Sequence, residues 1–391
     1  MGVQDDMEDA PHDSLSTANA PWWRHEPGFS EEFAGALIQA YHHLRSARND
    51  PDAYLYAAAA VLPYRSKRLS VRQRLRLEYV LAQAFTGEDG LTQALDHLEE
   101  AADMAEFLDE PVAGATIGSL AGKNYHYLSE FAIARDLYTD SVELLHSHET
   151  RNGSADTALE ADLLIRIAGL NCDLADFSHA EEATRTAHLL LNTSPASESR
   201  EVNLATLDWI DTLVAHWTGH PEQALPKARA VADTYTRLGN HRAAGRVHGL
   251  VVEIALDLAG SFSLQDHPGL RAAFTRQARP HALAAIEHAR AAGDPIGAQL
   301  GRLALQRCRR MRAPTQDGVE IVERVIRRAQ RLGDAALLGR AQLALGEELA
   351  ARASWDGARQ LYGMARHTFE EFDLQALLTW PNCRLSAPGE P

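Results

Sequence analysis

From Ser30 onward, small and apolar residues recur at intervals of three and four among polar ones, the period that keeps side chains on one face of a helix. One triad recurs along the chain: Ala94, Leu98, Ala101; Ala134, Tyr138, Ser141; Ala180, Thr184, Ala187; Ala224, Ala228, Val231; Ala282, Ile286, Ala289; Val322, Ile326, Ala329; and Ala358, Tyr362, Ala365. Their first members stand 40, 46, 44, 58, 40 and 36 residues apart, so the helical pattern is itself a repeat. Leu238-Gly239-Asn240, Ala292-Gly293-Asp294 and Leu332-Gly333-Asp334 punctuate it, each supplying a glycine to leave one helix and an Asn or Asp to cap the next. No alternating run bounded by turn residues predicts a strand. The pattern predicts an all-α chain of antiparallel helical hairpins.

The clearest hairpin is residues 112–146, two helices meeting at Ser129-Glu130. Ala121 and Gly122 fall where one helix presses on the next, Tyr125 follows, and Ala134, Tyr138 and Ser141 repeat small, large, small down the second helix. Gly122, Tyr125, Ala134, Tyr138 and Ser141 resemble the packing positions of a tetratricopeptide repeat. That resemblance covers roughly residues 50–378. It implies a right-handed superhelical solenoid of seven or eight hairpins, with the first helix of each lining a concave surface, as in the sensor and scaffold portions of bacterial regulators.

Residues 1–29 read as a disordered acidic tail, with Trp22 and Trp23 able to fold back on the first helix, and residues 30–380 as the repeat domain. The 58-residue step marks an insertion at about 260–280, either a lid or a longer loop with an extra turn of helix. Residues 381–391 read as a flexible tail.

Composition narrows the classes. The longest apolar run, Ala53 to Leu62, is about half of a bilayer span, so no membrane segment is predicted. The start lacks the basic and apolar regions of an export signal, which predicts a cytoplasmic protein. Cys172, Cys308 and Cys383 are odd in number and far apart, and read as free thiols. Of 38 basic residues only Lys67, Lys123 and Lys227 are lysine, a usage that suggests a GC-rich bacterial genome. A net charge of −16 argues against a protein that coats nucleic acid or anionic membrane over its whole surface.

Chemistry-bearing motifs are missing. Gly118, Gly122 and Lys123 suggest a phosphate loop, but the glycines are one residue too close, Asn124 replaces the hydroxyl, and the segment lies inside a predicted helix. Eighteen histidines include no HExxH, and they read as solvated. Asp208 and Asp211 read as a solvated acidic pair, and no nucleophile stands beside a base. No catalytic residue, metal or cofactor is expected.

Binding is expected instead. In the family resembled, ligand contacts come from first-helix positions six and three before the small residue and one and four after it. Counted from Gly122 these are Thr116, Ser119, Lys123 and His126; counted from Ala82 they are Arg76, Tyr79, Gln83 and Thr86. The next two repeats add Asp162 and Ile165, then Trp209 and His216. Their polarity predicts a wet groove holding a peptide or a protein segment, the rival reading being ordinary side chains of a scaffold that binds by another face. Charge is also uneven. Residues 88–110 carry nine acids and no Lys or Arg, whereas 271–340 carry fourteen arginines against six acids. Arg302, Arg309, Arg324, Arg327, Arg328 and Arg331 mark this basic surface. It either docks on the chain's own acidic segment or that of a second copy, giving a homo-oligomer, or attracts an acidic partner; nucleic acid is the alternative ligand.

Overall fold

A computed structural model describes residues 30–46, 52–85, 90–152, 156–261, 267–311 and 317–379. The tails, Asp50-Pro51, Thr86, Trp380-Pro381, Cys383 and part of the expected insertion lie outside the described residues. The described chain is all-α. Its first half runs α1 (Glu31–Ser46), α2 (Ala53–Val61), α3 (Val71–Ala84), α4 (Leu91–Phe107), α5 (Pro111–Tyr127), α6 (Phe131–Asn152), α7 (Thr157–Asp173) and α8 (Phe177–Thr193). It continues through α9 (Glu198–Trp217), α10 (Pro221–Arg237), α11 (His241–Ser261), α12 (Pro268–Ala291), α13 (Pro295–Arg310), α14 (Gly318–Leu332), α15 (Ala335–Ala350), α16 (Trp355–Glu371) and the short α17 (Gln375–Thr379). Among the described residues, no helix is long and apolar enough to cross a membrane.

The chain divides into two compact units, which we call N-terminal (described residues up to 170, with 183–204) and C-terminal (171–182, with 205–379). In the first, α1 through α6 each pack on the next. In the second, α10 through α17 do the same, and the odd helices α11, α13 and α15 also touch one another, forming a layer of first helices. This is the tetratricopeptide-like arrangement of helical hairpins that the triads predict.

The triads fall on the even helices. Nearly all of their members are buried, from Ala94, Leu98 and Ala101 to Ala358 and Ala365, and only Ile326 and Tyr362 remain half-exposed. The turn signals are equally direct. Gly239, Gly293 and Gly333 adopt φ of +69°, +64° and +70°, the left-handed region in which glycine carries no Cβ penalty. The following Asn240, Asp294 and Asp334 accept from the backbone N–H of Ala243, Gly297 and Leu337 at 3.0, 2.8 and 2.5 Å. Ser70 and Gln73 form a reciprocal capping box at the start of α3.

The expected insertion is, where described, extra helix. In most even helices the triad begins within the first turn, but Ala282 lies about three turns further into α12, which runs for 24 residues through Pro280. The sequence reading of the histidines as solvated fails at His97, His126, His216 and His248, all buried. His97 Nδ1, for instance, lies 2.6 Å from buried Glu78, and partners of this kind make burial tolerable.

Helix spacing within a hairpin is set by a glycine facing an aromatic ring. A Cβ at Gly122 would stand 2.6 Å from Tyr138 Cε1, and one at Gly346 would stand 2.5 Å from Tyr362 Cε1. At Gly339 a Cβ would run into the Phe369 ring. Gly118 and Gly122 are therefore packing residues, not a phosphate cradle. Tyr138 is fully enclosed and cannot retreat, whereas Tyr362 is half-exposed and can. Gly122→Leu is expected to destabilise by about 1–3 kcal/mol, and Gly346→Leu by clearly less, in urea melts followed by far-ultraviolet circular dichroism. Equal losses would mean that ring enclosure does not set the cost.

Candidate binding face of the odd helices

In the N-terminal unit the residues expected to line a groove form a packed polar seam. Arg76, Tyr79, Thr116, Ser119, Lys123 and His126 are all buried, and Gln83 is half-buried. The Gln83 amide donates to the Tyr79 hydroxyl at 3.2 Å, and the Thr116 hydroxyl donates to the Val112 carbonyl at 2.8 Å. Lys123 Nζ sits 5.5 Å from the Tyr127 ring centre, and the His126 ring meets Phe131 edge-on. Ser119 and Arg166 both donate to Asp162 Oδ2, at 3.3 and 2.9 Å. Burial works against the Arg166 charge, but Asp162 together with Tyr138 and Tyr127 outweighs it and keeps the guanidinium protonated. Burial likewise pushes the Tyr138 phenol well up, so it stays neutral.

The C-terminal unit presents a recess on the same class of helix. Trp209, Leu213 and Trp217 come from α9, Gly245, Arg246, Gly249, Leu250 and Glu253 from α11, Leu300 and Ala304 from α13, and Arg340 from α15. A second depression shares Glu253, Leu300, Ala304 and Arg340 and runs on to Arg307, Leu343 and Glu347. Trp209, expected in the groove, lines this recess. His216 lies 1% exposed behind it, with Nε2 2.8 Å from Asp257.

Paired charges frame the recess. Arg246 grips Asp294 with two hydrogen bonds of 2.9 and 3.0 Å, and Arg340 donates to Glu253 at 2.5 Å. Glu347 takes Arg310 at 2.6 Å and Arg307 at 3.4 Å, while Arg307 also approaches Asp257 at 3.8 Å. Burial raises the Glu347 carboxyl, but Arg310 and then Arg307 outweigh it, leaving it below its usual range. Burial opposes the charge on Arg307 too, and Glu347, Asp257 and Glu253 overcome it. Each cation has an anion, so the lining is close to electrically balanced.

One feature of the recess is not explained by packing. A Cβ at Gly249 would meet nothing within 4 Å, although glycine inside a helix costs about 1 kcal/mol relative to alanine. Most of these residues escaped the sequence reading, which stopped its register at the fourth repeat. The same offsets counted from Gly346 give Arg340, Leu343 and Glu347, three residues of the second depression.

The arginine-rich region is split by the structure. Arg302, Arg309, Arg324, Arg327 and Arg331 are exposed and Arg328 is half-buried, while Arg307, Arg310 and Arg340 are occupied in the pairs just described. Arg324 and Arg327 are partly offset by Glu320 and Glu323, each 3.9 Å away on the same helix. Cys172 and Cys308 are buried free thiols, and burial holds the Cys172 thiol well up and protonated.

No protein-family model matches the chain, and no curated protein does. Among the solved structures that resemble it, two are matched over most of their length. One is a Rap protein complexed with Competence and Sporulation Factor, with a TM-score of 0.58 and 15% identity over 90% of this chain and 97% of that one. The other is aspartyl phosphate phosphatase F from Bacillus subtilis, with a TM-score of 0.58 and 11% identity over 87% of this chain and 84% of that one. The chain has a tetratricopeptide-like helical-repeat fold. At these identities the likeness carries the fold, and activity has to be argued from the site itself.

Glu347 gives a measurable pH dependence. Its pKa is depressed in the folded state, so its contribution is present above the unfolded carboxylate value of about 4.3 and is lost as pH falls through the lower folded value. Glu347→Gln is expected to cost about 2 kcal/mol at pH 7 and to flatten the loss of stability between about pH 5 and 3. Urea melts across that range check it, and an unchanged slope would remove Glu347 from the acid response.

Proposed function

We propose that the chain is a non-enzymatic helical-repeat scaffold of bacterial signalling or regulation, and that it binds a peptide or protein segment on the odd-helix face of its C-terminal unit. The observation that carries this reading is the open space over Gly249, in a recess walled by Leu213, Leu250 and Leu300 and framed by paired charges. A peptide offers apolar side chains to fill the space between Leu213, Leu250 and Leu300. The balanced charges of the lining favour such a ligand over a polyanion, whose phosphates would meet Glu253. The lining of the recess contains no hydroxyl, thiol or imidazole, which supports binding over covalent chemistry. The solved complex of a Rap protein with Competence and Sporulation Factor is a structural neighbour whose fold holds a factor.

The exposed arginines serve a separate role in this reading. They act on the encounter with an acidic partner, because exposed charge mainly sets association rate and its salt dependence. Nucleic acid remains the alternative ligand for that surface, and the counterion-release slope with salt distinguishes it.

The test is a library of unstructured peptides displayed on phage, selected on the immobilised full chain in parallel with Gly249→Leu and Trp209→Phe. Enrichment is expected on the parent and should fall at least tenfold on Gly249→Leu, which puts a side chain into the open space of the recess. Trp209→Phe trims the indole that walls the recess, and enrichment on it is expected to fall less than on Gly249→Leu. Equal enrichment on all three proteins, or none on the parent, would overturn the proposal.

A further inference from the structure

The α11–α12 hairpin carries a row of four imidazoles that the recess does not use. His241 and His248 stand seven residues apart on α11, and His281 and His288 seven apart on α12. Because the helices are antiparallel, the first of each pair faces the second of the other. His241 Nδ1 lies 3.0 Å from His288 Nδ1, and His248 Nδ1 lies 2.9 Å from His281 Nδ1. The His248 and His288 rings are stacked with centroids 5.4 Å apart, which joins the two pairs.

A neutral imidazole carries one proton on either nitrogen, so with both protons on Nε2 two facing Nδ1 atoms turn their lone pairs into the gap between them. Burial lowers His248 to about 4, with His281 and His288 adding to the effect, and it lowers His281 and His288 as well. Metal binding takes the neutral imidazole. The charged groups facing them differ between the pairs: Arg229 and Asp233 of α10 act on His281, whereas Glu287 acts on His288. Both rings of the His241–His288 pair are partly open to solvent.

Distance selects the ion. Two nitrogens each about 2.0–2.1 Å from a metal and about 3 Å from each other subtend close to 90°. That is the angle between adjacent ligands in square-planar or octahedral coordination, and it is narrower than a tetrahedral ion requires. No third His, Cys, Asp or Glu joins either pair among the described residues, so water must supply the remaining ligands and the ion must be exchangeable.

We propose that His241 and His288 form a binding site for a divalent late transition metal of the Cu2+ or Ni2+ class, held through the Nδ1 atom of each ring and tying α11 to α12. The His248–His281 pair backs this site by stacking on His288. Bound metal staples the helix that carries Arg246, Gly249 and Glu253 to its hairpin partner.

The experiment uses the full chain without a polyhistidine tag. Saturating NiCl2 is expected to raise the melting temperature by roughly 2–4 °C, MgCl2 should not, and the rise should vanish in His241→Ala/His288→Ala. Unfolded chains with many histidines also bind metal and reduce such a shift, so a direct readout on the parent is needed. One equivalent of CuSO4 should give an electron paramagnetic resonance spectrum split by two imidazole nitrogens. An oxygen-only spectrum overturns the proposal, as does a nitrogen signal or a thermal shift that survives intact in the double variant.

Discussion

The close approach of paired helices rests on a ring lying where a side chain is missing. Gly122 under Tyr138, Gly346 under Tyr362 and Gly339 under Phe369 each let an aromatic residue of an even helix lie against the backbone of the odd helix before it. A Cβ would force the helices apart at that point, and dispersion contacts fall away quickly with sub-ångström gaps. Small residues at the remaining triad positions then bring the even helices close along their length.

Buried charge on that face is organised as pairs and chains. Glu253 with Arg340, Asp294 with Arg246, and Glu347 with Arg307 and Arg310 are each desolvated, and each is compensated by a partner on another helix. Such pairs add little net stability compared with apolar packing, but removing one partner strands the other. They fix how neighbouring odd helices align. The recess inherits a defined shape from them.

Much of the fold was legible because its signals are local. A triad at helical spacing, a left-handed glycine and an Asp or Asn cap each act within one turn, and all three recur where the sequence placed them. The site was less legible because its members come from four helices spread over more than a hundred residues, and polarity alone does not tell an open groove from a packed seam. Ser119 and Lys123 read as groove residues by type, yet Asp162 and Tyr127 enclose them. The histidine row was invisible for a related reason: a spacing of seven on each of two helices means nothing until the register between them is known. Gly249 carries no signature at all, since its significance is the absence of a neighbour.

Glu253 on α11 reaches Arg340 on α15 across the intervening hairpin, and Asp257 on α11 reaches Glu347 on α15 through Arg307 on α13. An ideal repeat array couples only nearest neighbours, so its ends can fray one repeat at a time. Here the last hairpin cannot peel away without stranding the Glu253 carboxylate two repeats back. The chains of charge thus convert three separable modules into one cooperative block, in which the ends open only when the middle does.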